Sequence, residues 1–304
     1  MLHVYPESDL ATATWIDLVS PTEDEVARVQ EATGLRAPAE SEVSEIETSS
    51  RLAFASGVYT LSTPVITRDD DGPALASVGF VLGARVLLTV RFAAIPTFDE
   101  ARKQCKAHGA TTADEAFLHL LEVVVDKSAD GLEHCGAECD ALSRGAFRDR
   151  KADSGALRAA LRRIGVIADK LSSLRDGLLG IGRIASFVTQ SGHEGAPPVN
   201  VRRLHAIHAD VVSLTDYEAH LSNKLQFLLD ATLGFINIEQ NEIVKTLTVA
   251  SVVGIPPVIV AGIYGMNFHV MPELDWPFGY PLALGLMVVT GLLPLIWFKR
   301  RGWL

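Results

Sequence analysis

Two long uncharged stretches dominate the pattern of apolar and polar positions in this 304-residue chain. Residues 246–264 and 280–298 each run for 19 residues without a formally charged side chain, and a polar loop, residues 265–279, separates them. A helix needs roughly 20 predominantly apolar residues to cross the hydrocarbon core of a bilayer. One such run could be a buried core helix, but two in succession at the end of a charged chain predict a hairpin of transmembrane helices.

The residues before the first span carry an apolar seam with alternating steps of three and four. This spacing predicts one continuous helix from about Val199 to Tyr264, roughly 100 Å long at ~1.5 Å per residue. A helix of that length cannot bury its apolar face within one small domain, so we expect it to pack against copies of itself as a helical stalk. The seam, with two polar interruptions, consists of Leu204, Ile207, Val211, Leu214, Glu218, Leu221, Leu225, Leu228, Thr232 and Phe235.

The first two-thirds of the chain has the pattern of a mixed α/β domain. The tetrad that begins at Ser20 carries capping-box residues and predicts a helix from Pro21 to about Thr33. Stretches rich in β-branched and aromatic residues predict strands within residues 52–66 and 76–92, and two long helical patterns predict an antiparallel helix pair. The predicted segments are an α/β domain with a helical hairpin (1–197), a stalk helix (198–245), the first span (246–264), an external loop (265–279), the second span (280–298) and a basic tail (299–304).

Charge and cysteine content exclude several classes of protein. The chain has 27 basic and 37 acidic side chains, a net charge of −10, so it lacks the basic field with which a nucleic-acid-binding protein neutralises phosphates. Its three cysteines, Cys105, Cys135 and Cys139, are odd in number and form no CxxC pair. Neither a disulfide scaffold nor a zinc ribbon is therefore supported.

The charges that flank the spans predict their orientation. Lys299, Arg300 and Arg301 follow the second span directly, whereas Glu273 and Asp275 lie between the spans. Positive residues stay on the cytoplasmic side of a membrane. We therefore expect both termini and the acidic bulk of the chain to lie on the cytoplasmic side of the plasma membrane, and the loop to lie on the external side. Aromatic residues suited to the membrane interface bracket the spans: Tyr264, Trp276, Tyr280, Trp297 and Trp303.

The end of the first span carries a distinctive motif. Tyr264 is followed by the triplet Gly265-Met266-Asn267, then by Met271-Pro272-Glu273-Leu274, the second span and the basic tail. This arrangement resembles the CorA family of magnesium channels, and the clear match runs from about Asp230 to Leu304. The resemblance implies a symmetric homopentamer shaped like a funnel, with an α/β cytoplasmic domain, a stalk of long helices and a central pore lined by the first span.

The triplet suggests how a hydrated dication would be received at the outer end of the pore. Gly265 is expected to stop the helix in a left-handed conformation and to leave the carbonyls of Gly262, Ile263 and Tyr264 partly unpaired. Converging helix ends carry partial negative charge, Asn267 adds a neutral oxygen, and Mg²⁺ usually keeps several of its waters. Met266 completes this entrance motif, and Glu273 would concentrate cations nearby. A helix-capping role for Asn267 is the alternative.

The resemblance also assigns residues to the pore and its inner mouth. Asn241 and Asp230 match polar rings, Val244 and Leu247 match an apolar constriction, and apolar rings can gate by dewetting. Related channels often have a threonine where this chain has Val258. Packing between helices is the alternative for each position. The pore-lining set is Asp230, Asn241, Val244, Leu247, Ile255 and Val258, and the inner-mouth set is Lys299, Arg300 and Arg301.

The expected transport is passive and driven by the membrane potential. A dication gains about 4.6 kcal/mol per 100 mV, from ~2.3 kcal/mol per elementary charge, and the sequence contains no P-loop. Mg²⁺ would then be the transported ion, and Mg²⁺ already inside the cell would act as the gating ligand. The resemblance places Glu42 where the family has an acidic metal ligand at the interface between subunits. The second ligand of that site usually lies on the stalk at the position of Ala206, which cannot bind a metal ion. Asp210, one helical turn further on, is the candidate substitute. Co²⁺ and Ni²⁺ are further candidate cargoes.

Two other functions fit parts of the pattern. A zinc or cobalt transporter on the same scaffold would use the softer ligands His193, His205, His208 and His220, although histidines on a polar helix face are usually solvated. A membrane-anchored sensor or scaffold would conduct nothing. An enzyme is not indicated, because the sequence identifies no convergent set of catalytic side chains.

Overall fold

The structure is a computed structural model of the chain. It describes residues 1–6, 9–45, 51–69, 72–108, 112–148, 154–190, 195–266, 269, 271–272 and 276–303. The chain divides into two compact units. The first unit consists of Met1–Arg150 with Ala159–Leu229, and the second consists of Lys151–Arg158 with Asp230–Leu304.

The first unit contains a six-stranded sheet in the order β1-β2-β6-β5-β4-β3. All neighbouring strands are antiparallel except β2 and β6, which pair in parallel with Trp15 opposite Leu87. The predicted stretches 52–66 and 76–92 therefore do form strands. The strands are β1 Leu2–Tyr5, β2 Trp15–Val19, β3 Leu52–Ala55, β4 Val58–Asp69, β5 Gly72–Leu82 and β6 Leu87–Arg91.

The described residues form seven α-helices. The last four are long and correspond to the predicted helix pair, the stalk helix with the first span, and the second span. The sixth runs unbroken for 64 residues. The helices are α1 Glu23–Thr33, α2 Glu40–Val43, α3 Pro96–His108, α4 Ala113–Arg148, α5 Ser154–Gln190, α6 Val201–Tyr264 and α7 Gly279–Arg300.

Both faces of the central strands are buried. Side chains alternate across a strand, so Trp15, Phe80 and Leu87 enter one core while Ile16 and Leu88 enter another. The larger core also takes in buried residues of α3 to α6, and the smaller one takes in Val29 of α1 and neighbouring loop residues. This double coverage explains why β6 has no exposed position.

Helix α1 begins two residues later than the sequence pattern predicts. Its N-cap is Thr22, whose hydroxyl accepts the backbone N–H of Glu25 while the Glu25 carboxylate accepts the N–H of Thr22. Ser20 is not the cap because its own N–H donates to the Arg91 carbonyl at 2.8 Å. The chain thus forms a capping box on Thr22 and Glu25 rather than on the predicted Ser20 and Glu23, and Ser20 is bonded to the end of β6 instead.

The apolar seam of α6 is covered within its own subunit. Leu204, Ile207, Val211, Leu221 and Leu225 are buried in the same core as residues of α4 and α5. The helices approach closely at small residues: a Cβ on Gly136 of α4 would lie 2.8 Å from the Tyr217 hydroxyl, and one on Gly182 of α5 would lie 3.0 Å from Val211. The expectation that this seam meets copies of the chain is therefore wrong for residues 204–228.

The sheet also contains a buried polar network that connects β2 and β6. Trp15 Nε1 donates to Thr89 Oγ1 at 3.0 Å, and that hydroxyl donates to Asp17 Oδ1 at 2.7 Å. The Arg91 guanidinium donates to Asp17 Oδ2 at 2.9 Å and lies over the Phe98 ring, 5.2 Å from its centroid. Asp17 and Arg91 are both almost completely buried.

Candidate pore segment

Two helices of the second unit have the length and composition to cross a membrane. They are α7 and the last part of α6, and each contains an 18-residue window with a mean hydropathy of 2.0. The window of α6 is 0% buried and that of α7 is 11% buried in the single chain, unlike the mostly buried core helix of a soluble fold. This agrees with the two predicted spans.

Within this unit, one face of α6 packs against α7. Val249 of α6 and Ala283 and Phe298 of α7 are buried. A Cβ on Gly291 of α7 would lie 3.5 Å from Pro257 Cγ and 3.7 Å from the Val253 carbonyl oxygen. Pro257 cannot donate to that carbonyl, and α7 covers it at a position without a side chain.

Four of the six predicted pore-lining residues lie on the other side of α6. At about 100° per residue, residues 249, 253 and 260 share the face toward α7, and residues 244, 247, 255 and 258 fall on the opposite face. In one subunit the side chains of this opposite face are 55% to 69% exposed. Asn241 and Asp230 are exposed as well. The six residues proposed to line a pore are thus all exposed in the single chain.

The end of α6 differs from expectation in its backbone. Gly265 does not adopt the left-handed conformation; its N–H donates to the Ala261 carbonyl at 2.9 Å, and the N–H of Met266 donates to the Ile263 carbonyl at 3.2 Å. The Ile263 carbonyl is therefore paired. Glycine is favoured here because a Cβ would lie only 3.1 Å from the Ala261 carbonyl oxygen.

Two candidate residues of the outer end, Asn267 and Glu273, lie outside the described residues. Met266, which precedes Asn267, is described and half-exposed at the end of α6. The role of the triplet and of the acidic loop therefore stays a prediction.

The opposite end of the hairpin gathers basic and aromatic side chains. Lys299 and Arg300 form the last turn of α7, and Arg301 is its C-cap, so two residues of the predicted tail belong to the helix. Lys245 of α6 lies over the Trp303 ring, with its Nζ 5.9 Å from the centroid. The sequence analysis missed Lys245, although a lone lysine just before an uncharged span is a signal it could have used.

The two candidate regulatory residues have different surroundings. Glu42 accepts a hydrogen bond from Arg36 Nη2 at 2.7 Å and one from the Ala39 N–H at 2.9 Å. These two donors, the backbone one foremost, hold the pKa of the Glu42 carboxyl below its usual range. Asp210 is exposed on α6 and is not among the residues that line the cleft beside Glu42. One subunit does not bring the two together.

Asp210 instead belongs to an acidic group that the sequence analysis did not identify. Glu122, Asp126 and Asp130 are spaced by four on α4, which places them on one helix face. Partial burial, followed by the charges of Glu122, Asp130 and Asp210, raises the pKa of the Asp126 carboxyl. Arg203 neutralises part of this charge through two hydrogen bonds to Glu122, at 2.9 and 2.6 Å.

The histidines proposed for zinc show no such grouping. His205, His208 and His220 are exposed on α6, and His193 lies outside the described residues. Within the described part of the chain, no three His, Cys, Asp or Glu side chains are placed to hold a metal ion together.

Comparison with known proteins identifies the family. The family model described as "CorA-like Mg2+ transporter protein" matches residues 11–300. The chain belongs to the CorA family. Two relatives named magnesium transport protein CorA, from Yersinia pestis and Escherichia coli, are 35% and 34% identical over the whole chain and 96% of their own lengths. The resemblance recognised in the sequence is therefore confirmed, and it extends through the N-terminal domain.

Solved CorA-family and related structures share the fold. The CorA magnesium transporter of Methanocaldococcus jannaschii matches with a TM-score of 0.74 at 20% identity, over 95% of this chain and 91% of its own. The cytoplasmic domain of ZntB from Vibrio parahaemolyticus matches with a TM-score of 0.56 at 11% identity, over 73% and 87%. The predicted combination of an α/β domain, a long helix and two apolar helices is confirmed. The homopentamer remains a prediction.

Proposed function

We propose that the chain forms a homopentameric channel that admits Mg²⁺ to the cytoplasm through a pore lined by α6. The observation that carries this proposal is the exposed face of α6 opposite α7, which bears Val244, Leu247, Ile255 and Val258. Full-length relatives named as magnesium transport proteins support Mg²⁺ as the cargo.

The residues that precede this face are consistent with a shared pore. Asn241 and Asp230 lie before the uncharged span on the same helix and are exposed, so their polar side chains can meet water. Apolar Val244 and Leu247 lie between these polar positions and the membrane core. Five copies around an axis would place the polar residues in rings and form an apolar constriction able to close by dewetting.

The outer end of the pore would bind the ion through its water shell. Mg²⁺ dehydrates reluctantly, so neutral oxygens that accept hydrogen bonds from its waters suit it better than a tight carboxylate cage. Asn267 supplies such an oxygen from each subunit, and Glu273 raises the local concentration of cations. The inward step needs no ATP, because the potential supplies about 4.6 kcal/mol per 100 mV for a dication.

The acidity of the first unit supports gating by internal Mg²⁺. The Asp126 group concentrates negative charge beside α6, and five such subunits repel one another unless cations lie between them. Mg²⁺ that binds the closed assembly more tightly would shift the population toward it. Glu42 is less suited to this role than Asp210, because its carboxylate already accepts two hydrogen bonds.

Liposome flux tests the proposed function. Full-length protein is reconstituted with an internal Mg²⁺ indicator, and uptake is followed under an inside-negative potential. Wild type should take up Mg²⁺, and Asn267→Ala should slow the initial rate at least tenfold, since it removes every amide of the proposed ring, each worth about 1 kcal/mol of hydrogen bonding, and ~1.4 kcal/mol already corresponds to a factor of ten. Asn223→Ala, an exposed position on α6 of the first unit, serves as the matched control with unchanged uptake.

The same vesicles separate the alternatives. Folded wild-type protein that gives only background signal would indicate a sensor or scaffold. Zn²⁺ uptake that excess Mg²⁺ does not reduce would indicate a zinc transporter. Competition among Mg²⁺, Co²⁺ and Ni²⁺ then ranks the cargoes.

A further inference from the structure

The C-terminal end of α7 folds back on itself. The Gly302 N–H donates to the Lys299 carbonyl at 3.2 Å, and the Trp303 N–H donates to the Phe298 carbonyl at 3.0 Å. With Gly302 in the left-handed conformation, φ 73°, this is a Schellman C-cap. The turn stacks the Trp303 ring on Phe298, with 5.3 Å between centroids.

The returned ring then meets a cation of the other helix. Lys245 Nζ of α6 lies 5.9 Å from the centroid of Trp303, and the Arg301 guanidinium lies 5.3 Å from that of Trp297. The two tryptophans are 41% and 52% exposed, so each has a face or edge left for a further partner. Two cations from two helices are thereby held beside aromatic rings at the same end of the hairpin.

The basic side chains at this end lack acidic partners. Lys245, Lys299, Arg300 and Arg301 are exposed, and no carboxylate among the described residues lies within the 4 Å of an ion pair with any of them. Glu242 precedes Lys245 by three residues on α6 but is not bonded to it. Among the described residues these four cations thus have no ion-pair partner, and two of them, Lys245 and Arg301, lie beside the two rings.

The position of Lys245 indicates that this basic end of the hairpin is not a barrier within the proposed pore. Lys245 contacts the tail of α7, so it lies toward the α7 side of α6 rather than on the face of Val244 and Leu247. Tryptophan rings prefer the headgroup region of a bilayer, which sets the four cations at the depth of lipid phosphates. Basic pockets between membrane helices suit the headgroups of anionic lipids.

We propose that Lys245, Lys299, Arg300 and Arg301, framed by Trp297 and Trp303, form a binding site for the phosphate of an anionic phospholipid. Guanidinium N–H groups and the lysine ammonium donate to the phosphate oxygens, and the rings flank the glycerol region. The proposal requires that α6 and α7 span a bilayer, but it does not depend on ion conduction.

Lipid binding to the full-length protein in detergent tests the site. Native mass spectrometry follows the titration of phosphatidylglycerol and, separately, of phosphatidylcholine with the same acyl chains. Wild type should prefer phosphatidylglycerol. Lys245→Gln should weaken that binding about fivefold, the factor that ~1 kcal/mol per cation corresponds to, and Lys245→Gln with Arg301→Gln should weaken it roughly 25-fold.

Two further variants guard against a general charge or folding effect. Arg202→Gln removes an exposed cation near the start of α6, 43 residues before Lys245, and should leave binding unchanged. Trp303→Phe keeps a ring under Lys245 and should retain most of the affinity, whereas Trp303→Leu should lose it to the same degree as Lys245→Gln.

Three results would overturn the proposal. These are equal binding of the two lipids by wild type, unchanged binding in the folded double variant, and displacement of phosphatidylglycerol by inorganic phosphate at equal concentration, which would identify a free anion as the ligand. Failure of Mg²⁺ uptake in liposomes, with lipid preference intact, would contradict only the proposed transport.

Discussion

A buried ion pair places two full charges at the centre of the sheet in the first unit. Removing charges from water costs several kcal/mol each, and only good geometry with further hydrogen bonds offsets that cost. Asp17 meets this condition because its carboxylate accepts from both Thr89 and Arg91, while Phe98 covers the guanidinium. Asp99 adds a second carboxylate 3.7 Å from Arg91. The pair fixes the register of β2 against β6.

Breaking this pair should destabilise the first unit strongly. Arg91→Met leaves the Asp17 charge buried without its partner, and we expect the free energy of unfolding to fall by about 3–5 kcal/mol. Denaturant unfolding of the full-length protein, followed by Trp15 fluorescence, measures this loss. Arg85→Met, at an exposed position before β6, should change stability by less than about 0.5 kcal/mol. Equal effects of the two variants would contradict a special role for the pair.

At the scale of elements, α5 approaches β4 most closely at Gly180. A Cβ on Gly180 would lie 1.8 Å from Thr63 Oγ1 and 3.0 Å from Thr63 Cβ, with Pro64 Cδ at 3.3 Å. The β-branched threonine and the proline ring have little freedom to move away. The distance between α5 and β4 is therefore set by a residue without a side chain.

Two alanine substitutions on α5 should act in opposite directions. Gly180→Ala introduces overpacking against β4 and should cost about 1–3 kcal/mol. Gly165→Ala, where no atom lies within 4 Å of the new Cβ, should stabilise the helix by ~0.5–1 kcal/mol through its higher helix propensity. Thermal unfolding of both variants measures the difference, and a stabilising Gly180→Ala would show that the contact relaxes freely.

The sequence predicted those elements whose signal is local. The uncharged spans and the continuity of α6 depend on spacing within a few turns, and the structure contains both. The predicted capping box is displaced by two residues, from Ser20 and Glu23 to Thr22 and Glu25. The partner of the α6 seam was predicted wrongly, because periodicity identifies a buried face without identifying what covers it. The Asp17–Arg91 pair was missed because its members are 74 residues apart in the chain. The left-handed conformation predicted for Gly265 was wrong, because glycine is favoured there by the nearby Ala261 carbonyl rather than by a left-handed turn.

At the scale of the whole molecule, the second unit leaves much of its apolar surface uncovered. Val258 of α6 is 69% exposed and Val289 of α7 is 49% exposed in one subunit. The proposed pentamer assigns these two surfaces to different surroundings. The face of α6 opposite α7 would line a hydrated pore, while the outer face of α7 would contact lipid.

Cysteine accessibility distinguishes the two surfaces. Val258→Cys should react with a water-soluble methanethiosulfonate reagent, because a thiol in water can ionise, and Val289→Cys in lipid should react at least tenfold more slowly. The native thiols give little background: all three are buried, and burial raises the pKa of Cys105 and Cys135 to about 11. Equal labelling of both variants, measured by mass spectrometry, would contradict a pore along α6.

The parallel pairing of β2 with β6 has a consequence for biosynthesis. Thr89 and Asp17, which are hydrogen-bonded across this pair of strands, are 72 residues apart in the chain. The ribosome therefore synthesises β2 well before β6. Until then, the apolar edge of β2 is open to misassociation, and a chaperone that shields nascent chains would act at this stage. The stretches that enter the bilayer emerge last, after the residues of the sheet have left the exit tunnel. Translation therefore gives the strands of the sheet time to pair before the hairpin reaches the membrane.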